Sequence, residues 1–204
     1  YIARYALGRD YHKLIRKRVQ KLADRMAEAI GPFGYRAFVD SAPVLEKAIA
    51  AQAGLGWAGK HTVIINRQAG SYFFLAELFT DLPWPVDEPV SSHCGTCSAC
   101  IDICPTQAII APYVLDAGKC ISYLTIEYRG VIAEPLRRAI GNRIFGCDDC
   151  QLVCPWNRYA QASQEPAFTP RHDFDGPPLL DLWAWDEITW LSKTEGMPLR
   201  RMSY

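Results

Sequence analysis

Two cysteine runs, each closed by Cys-Pro, constrain this chain more than any other feature. The first is Cys94-x-x-Cys97-x-x-Cys100-x-x-x-Cys104-Pro105; after Cys120, the second reads Cys147-x-x-Cys150-x-x-x-Cys154-Pro155. Together they use all 8 cysteines of the 204-residue chain, and two cubane iron–sulfur clusters need four thiolates each. Three cysteines two residues apart wrap one cubane from a tight loop, and the fourth, ahead of its proline, reaches the neighbouring cluster. The spacing therefore predicts a first 4Fe-4S cluster on Cys94, Cys97, Cys100 and Cys154. A second would take Cys147, Cys150, Cys104 and Cys120, with Cys120 replacing the close third cysteine that the second run lacks. Disulfides and zinc are the competing uses. No secretory segment is visible and the spacing is too regular for a disulfide framework. Zinc sites favour paired Cys-x-x-Cys knuckles, to which neither Cys-Pro ending belongs. Electron transfer is therefore part of the expected function.

The remaining sequence is that of an ordinary globular protein, 50% hydrophobic and 22% charged. No apolar run approaches the ~20 residues a membrane-spanning helix needs. Net charge is zero, so any nucleic-acid binding must come from a local patch. The chain opens at Tyr1 inside helix-like sequence and stops at Tyr204 without an evident terminus, so we expect a piece of a longer protein.

Residues 10–30 read as an amphipathic helix. Leu14, Val19, Leu22, Met26 and Ile30 form an apolar stripe opposite Lys13, Arg16, Lys17, Arg18 and Lys21, and Gly31-Pro32 ends it. Tyr35–Asp40 reads as a strand. Ser41 is placed to cap a helix with Pro43 in its first turn, running to about Ala53. The loop Gly54-Leu55-Gly56-Trp57-Ala58-Gly59-Lys60-His61 needs unusual dihedrals or close approach of a bulky group. It lacks the Gly-Lys-Ser/Thr ending of a phosphate-binding loop. Strands are expected over 62–66 and 71–80, and a helix from about Pro135. Between Cys120 and Cys147 lies a locally basic insertion with Arg129, Arg137, Arg138 and Arg143. Tyr123, Tyr128 and Phe145 are candidates to stack on a nucleobase. Trp183, Trp185 and Trp190 are assigned to core packing.

Ninety residues of helix and strand before the first cysteine exceed what a bare ferredoxin needs. Phe38-Val39-Asp40-Ser41-Ala42-Pro43, Ala53–Lys60, His93-Cys94-Gly95-Thr96-Cys97, Cys120–Glu127 and Gly146–Asn157 together resemble epoxyqueuosine reductase, from about Tyr5 to Arg201. The resemblance implies an α+β protein: an α/β cobalamin-binding domain followed by a bacterial-type two-cluster ferredoxin-like domain. On this reading residues 1–90 are the end of the first domain and 91–160 the second, with an insertion at 121–146. Residues 161–204 are a tail leading to a helical-repeat domain that the chain does not contain, and an N-terminal segment is also lacking. The implied activity is reduction of epoxyqueuosine to queuosine at the tRNA wobble position, with cobalamin fed by the two clusters. Asp40 is the implied proton donor and touches the cofactor, with further corrin contacts near Ile64, Leu75, Leu78, Ser122 and Cys147. A carboxyl serves as an acid near neutrality when burial disfavours its charge, and Phe38, Val39, Ala42 and Pro43 would supply that burial. Without the resemblance, a helix-capping aspartate is the plainer role. The implied partners are tRNA carrying epoxyqueuosine and a flavodoxin- or ferredoxin-type reductant. A cytoplasmic monomer without membrane contact is expected.

Two other classes share these features. A reductive dehalogenase also joins cobalamin to two cubanes, but such enzymes are usually exported and no twin-arginine signal is present. A non-catalytic electron carrier would hold clusters without a corrin, and a visible spectrum taken with cobalamin separates it.

Overall fold

A computed structural model describes residues 1–202. The N-terminal part begins with a 3-10 turn at Arg4–Ala6 and a long helix, α1 (Tyr11–Ile30). The Asp10 carboxylate caps α1 by accepting the His12 N–H at 3.0 Å, and Gly31 ends it at φ 93°. The expected basic face is exposed along α1. Its apolar stripe is only partly covered: Tyr11 and Ala23 are buried, whereas Leu22 and Ile30 lie open.

Next come β1 (Tyr35–Phe38), α2 (Glu46–Gln52), β2 (Trp57–Ala58), β3 (Ile64–Ile65) and β4 (Glu77–Thr80). The strands pair antiparallel as separate two-stranded ribbons, β1 with β4 from Tyr35↔Thr80 to Phe38↔Glu77 and β2 with β3. Several expected boundaries move; the first strand ends at Phe38 rather than Asp40, and that over 62–66 shrinks to Ile64–Ile65. The helix after Asp40 starts at Glu46 without a side-chain cap, because Asp40 turns the chain at φ 51° and the Ser41 hydroxyl bonds back to Val39 O. The strand expected over 71–80 shortens to its last four residues, since Ser71 instead bonds Asn157 and Gln151.

The glycine loop forms the β2–β3 ribbon. A Cβ on Gly56 would stand 2.2 Å from Ile65 O, and one on Gly54 2.7 Å from Glu88 O. The close approach expected at this loop is therefore made by neighbouring backbone.

The cysteine-bearing part contains α3 (Ala99–Asp102), the hairpin β5 (Ile109–Ala111) and β6 (Val114–Leu115), α4 (Ile121–Ile126), α5 (Glu134–Ile140) and α6 (Asp149–Leu152). Inside the insertion, Ile121, Leu124 and Ile140 form a small core. Residues 161–202 carry α7 (Leu179–Trp183) and α8 (Glu187–Lys193). They fold back so that Phe174, Trp190, Met197 and Leu199 pack with Ile2, Leu7 and Phe145 in the main core. Phe145 is wholly buried and cannot stack on a base; Tyr123 and Tyr128 are exposed, their ring centroids 6.3 Å apart. Trp185 and Trp190 pack as expected, but Trp183 is 89% exposed because only one side of α7 meets the core. Among the described residues no helix is long and apolar enough to cross a membrane.

Candidate functional site

Cys94, Cys97, Cys100 and Cys154 gather around one cavity, and Cys104, Cys120 and Cys147 lie near Cys150. Burial pushes the Cys100 thiol up, and its sulfur neighbours are Cys154, Cys94 and Cys97. These four line one cavity of about 230 Å³. Burial also pushes Cys147 up to about 11 and Cys150 up to about 12. Cys150 feels Cys147, Cys120 and Cys104, and also Cys100 of the first set. Such thiols become ligands only when a bound metal compensates their buried negative charge. Among the described residues no three Cys, His, Asp or Glu side chains converge as a single ion would require. The sulfurs of the first set surround a volume, which suits a cluster.

Backbone groups hold these loops. Cys147 N–H donates to Ser122 Oγ at 3.2 Å, and Gly146 N–H to Thr125 Oγ1 at 2.9 Å. Asp148 is buried and accepts from Tyr1 OH at 2.7 Å and Arg4 N–H at 2.8 Å. Arg143 pairs with Asp149 and caps the Ile140 carbonyl, and Arg129 bonds the carbonyls of Ile126 and Arg201. Those two insertion arginines therefore have structural partners.

The first loop is clamped from the other part of the chain. Lys60 Nζ donates to Gly95 O at 2.7 Å and to Cys97 O at 2.8 Å. Trp57 meets His93 and Trp156 edge-on, each at 5.0 Å. Bonds from an ionised donor contribute on the order of 1.5–3 kcal/mol each. Lys60→Met keeps the chain length and loses both; because the bonds are exposed and water replaces part of each, release of iron from the first cluster to a chelator is expected to quicken only about tenfold, equivalent to about 1.4 kcal/mol. An unchanged release rate would show that the clamp is idle.

Asp40 stands apart from the cysteines, in a network that sequence alone did not disclose. Its Oδ2 accepts from Tyr11 OH at 2.7 Å and faces His12 Nε2 at 3.0 Å, while His12 Nδ1 faces Asp10 Oδ1 at 2.6 Å. Arg201 lies 3.9 Å from the same oxygen and bonds Glu127 at 2.6 Å. The His12 contacts become hydrogen bonds only if each ring nitrogen, or a facing carboxyl, carries a proton. Both ring nitrogens thus face carboxylate oxygens, one of them that of Asp40. Tyr11 is fixed by stacking on His12 and Phe74 at 4.1 and 4.2 Å.

The expected apolar burial of Asp40 is not found. Its side chain is 46% exposed, because the left-handed turn swings it away from Val39 toward Tyr11 and His12. The capping alternative also fails in its simple form: Glu46 Oε1 accepts the Asp40 backbone N–H at 2.6 Å, while the Asp40 carboxylate points elsewhere. Behind it, burial and then the adjacent Glu46 push Glu77 up to about 7. The only sequence hint of this network was the order Asp10-Tyr11-His12 at the start of α1.

Asp40 opens on a cavity of about 270 Å³ together with Ile64 and Leu75. That cavity shares Tyr11, Val63, Ser71, Phe73 and Phe74 with a larger one of about 710 Å³. The larger space runs between residues 4–11, residues 71–74 and the cysteine-bearing part at Asp148, Gln151 and 160–163. Tyr72 lines it, and its hydroxyl is buried without a partner among the described residues. Leu78 is paired with Ala37 in β4 and lines neither cavity. The Cys147 N–H bonds the Ser122 hydroxyl; neither residue lines either cavity, although Asp148, next in sequence to Cys147, lines the larger one.

Comparison with known proteins adds a second line of reasoning. Residues 93–157 match the family model of a 4Fe-4S double cluster binding domain, and residues 1–41 match that described as epoxyqueuosine reductase QueG, DUF1730. The chain is 64% identical over its full length to epoxyqueuosine reductase of Xanthomonas campestris, covering 58% of that protein. It is 65% identical to that of Pseudomonas aeruginosa, covering 57%. A crystal structure of epoxyqueuosine reductase with an epoxyqueuosine-modified tyrosine tRNA stem loop superposes with TM-score 0.89 at 32% identity, covering 98% of this chain and 55% of the other. The chain therefore spans little more than half the length of the relatives it matches.

Proposed function

We infer that the chain belongs to the epoxyqueuosine reductase family, and from that premise we propose that it reduces epoxyqueuosine to queuosine in tRNA with electrons passed through two 4Fe-4S clusters and a cobalamin. The observation that carries the reading is Asp40, furnished with proton-bearing neighbours, opening toward a cleft bounded by the second cysteine run. We assign the first cluster to Cys94, Cys97, Cys100 and Cys154 and the second to Cys147, Cys150, Cys104 and Cys120. Residues 1–90 are assigned to the cofactor-binding domain, 91–160 to the cluster domain with its insertion at 121–146, and 161–204 to the segment that leads out of it.

Two features support placing the corrin ring at the larger cleft. Its volume of about 710 Å³ falls within the ~300–1,000 Å³ of small-molecule sites. Its wall also presents the orphaned Tyr72 hydroxyl, a donor suited to an amide-bearing cofactor. Phe73, Phe74 and Val63 would pack against the ring, with Ile64 and Leu75 on the Asp40 side. Ser122 and Cys147 would lie behind Asp148 rather than on the wall itself. When bound, cobalamin supplies a strong nucleophile and two-electron reduction.

The chain's own residues manage the proton. Opening an epoxide releases an alkoxide-like oxygen that must be protonated. Asp40 is the group that delivers the proton; His12 replaces it, with Asp10 linking the imidazole to solvent. Tyr11 fixes the carboxyl, and the shared Arg201–Glu127 pair keeps the Asp40 turn near the insertion. The exposed arginine and lysine face of α1 suits tRNA phosphates, and Tyr123 and Tyr128 a splayed base. We place the protein in the cytoplasm, with a small flavodoxin- or ferredoxin-type reductant.

Adding cobalamin to the full-length, cluster-loaded protein should shift the corrin's visible bands with saturation near one per chain. The loaded protein should then convert an epoxyqueuosine-bearing stem loop under reducing conditions. Clusters without corrin binding would favour a simple electron carrier, and turnover of an organohalide in place of the stem loop would favour a dehalogenase.

A further inference from the structure

His61 is buried at 3% exposure in the turn that links β2 to β3. Its Nδ1 accepts the Val63 backbone N–H at 3.1 Å. A nitrogen that accepts carries no proton, so the ring's hydrogen sits on Nε2. That Nε2 is buried and has no partner among the described residues, a state native interiors rarely leave unexplained. The ring lines the cavity enclosed by Cys94, Cys97, Cys100 and Cys154. Its neighbour Lys60 is already committed to the Gly95 and Cys97 carbonyls, which pins the cysteine loop against this turn.

We propose that His61 donates an Nε2–H hydrogen bond to a sulfur of the first cluster and thereby raises that cluster's reduction potential. The inference rests on the cluster assignment above. Reduction adds negative charge to the sulfurs, so an N–H donor stabilises the reduced state more than the oxidised one. Burial strengthens the effect, because little water competes for the sulfur or screens the dipole. His61 is therefore a positioning and tuning residue. It adjusts how readily the first cluster accepts an electron before passing it on toward Cys150, whose sulfur lies near Cys100 of the first set.

The test is potentiometry followed by electron paramagnetic resonance on the full-length protein, anaerobically loaded with clusters. His61→Phe should lower the potential of the cluster whose signal is lost in Cys97→Ala, leaving the other cluster unchanged. His61→Gln, whose amide can still donate, should recover part of the shift. Iron and sulfide near eight of each per chain, two cubanes' worth, separates failure of this proposal from failure of the cluster assignment. An unaltered potential in His61→Phe with full cluster content would overturn it. Should that variant lose its cluster, the unaltered protein decides. Labelling with ¹⁵N-histidine should give a nitrogen coupling to the reduced first cluster that persists in His93→Phe. Absence of that coupling would equally overturn the proposal.

Discussion

Cys154→Ala is expected to remove the cluster that the first cysteine run builds, although Cys154 lies in the second run. The sulfur of Cys154 neighbours Cys94 and Cys97, and all three line one cavity with Cys100. Anaerobic iron analysis should fall from about eight toward about four irons per chain, the content of one cubane. The surviving signal should match that left by Cys97→Ala and differ from that left by Cys104→Ala. If ligation were local to each run, Cys154→Ala would resemble Cys150→Ala, and the crossed assignment would be wrong. The large effect follows from chemistry: three thiolates leave one iron of a cubane open to water, and the loop then loses the metal charge that compensates its buried sulfurs.

The cysteines were legible because cluster ligation fixes residue type and spacing within a short stretch of chain. The proline after each run's last cysteine was legible too; it sends the chain away from its own loop, and Cys154 does share a cavity with Cys94, Cys97 and Cys100. The first helix was equally readable, from its period and from Gly31-Pro32. The surroundings of Asp40 were not. Tyr11 and His12 approach from the start of α1 and Arg201 from near the end of the described chain, contacts that only the tertiary fold creates. Local context misled on burial, because apolar neighbours in sequence do not cover a side chain that a positive φ turns outward. The glycine loop was legible as a place of close approach but not as to what approaches. Its glycines are explained by Ile65 and Glu88 backbone, which no local pattern announces. His61 gave no periodic or motif signal at all; its unpaired nitrogen is visible only in three dimensions.

Asp40→Asn should abolish most of the turnover while leaving the cofactors in place. The amide preserves size and can still bond Tyr11, so corrin bands and iron content should match the parent. It carries no acidic proton, and loss of an acid–base group costs on the order of 100-fold or more in rate. The loss should fall on kcat, with KM for the stem loop little changed, since the carboxyl acts on the departing oxygen and the nucleic-acid surface lies elsewhere. His12→Gln supplies the discriminating comparison. If His12 only props up Asp40, the amide at that position should restore the rate at every pH. If His12 replaces the proton, its loss should lower kcat most at high pH, where solvent delivers protons slowly, and acidic buffers should recover part of the rate. Near-parental turnover by Asp40→Asn, with cofactor reduction shown not to limit the rate, would reduce Asp40 to a turn-forming residue and move the proton donor to another group in the cleft.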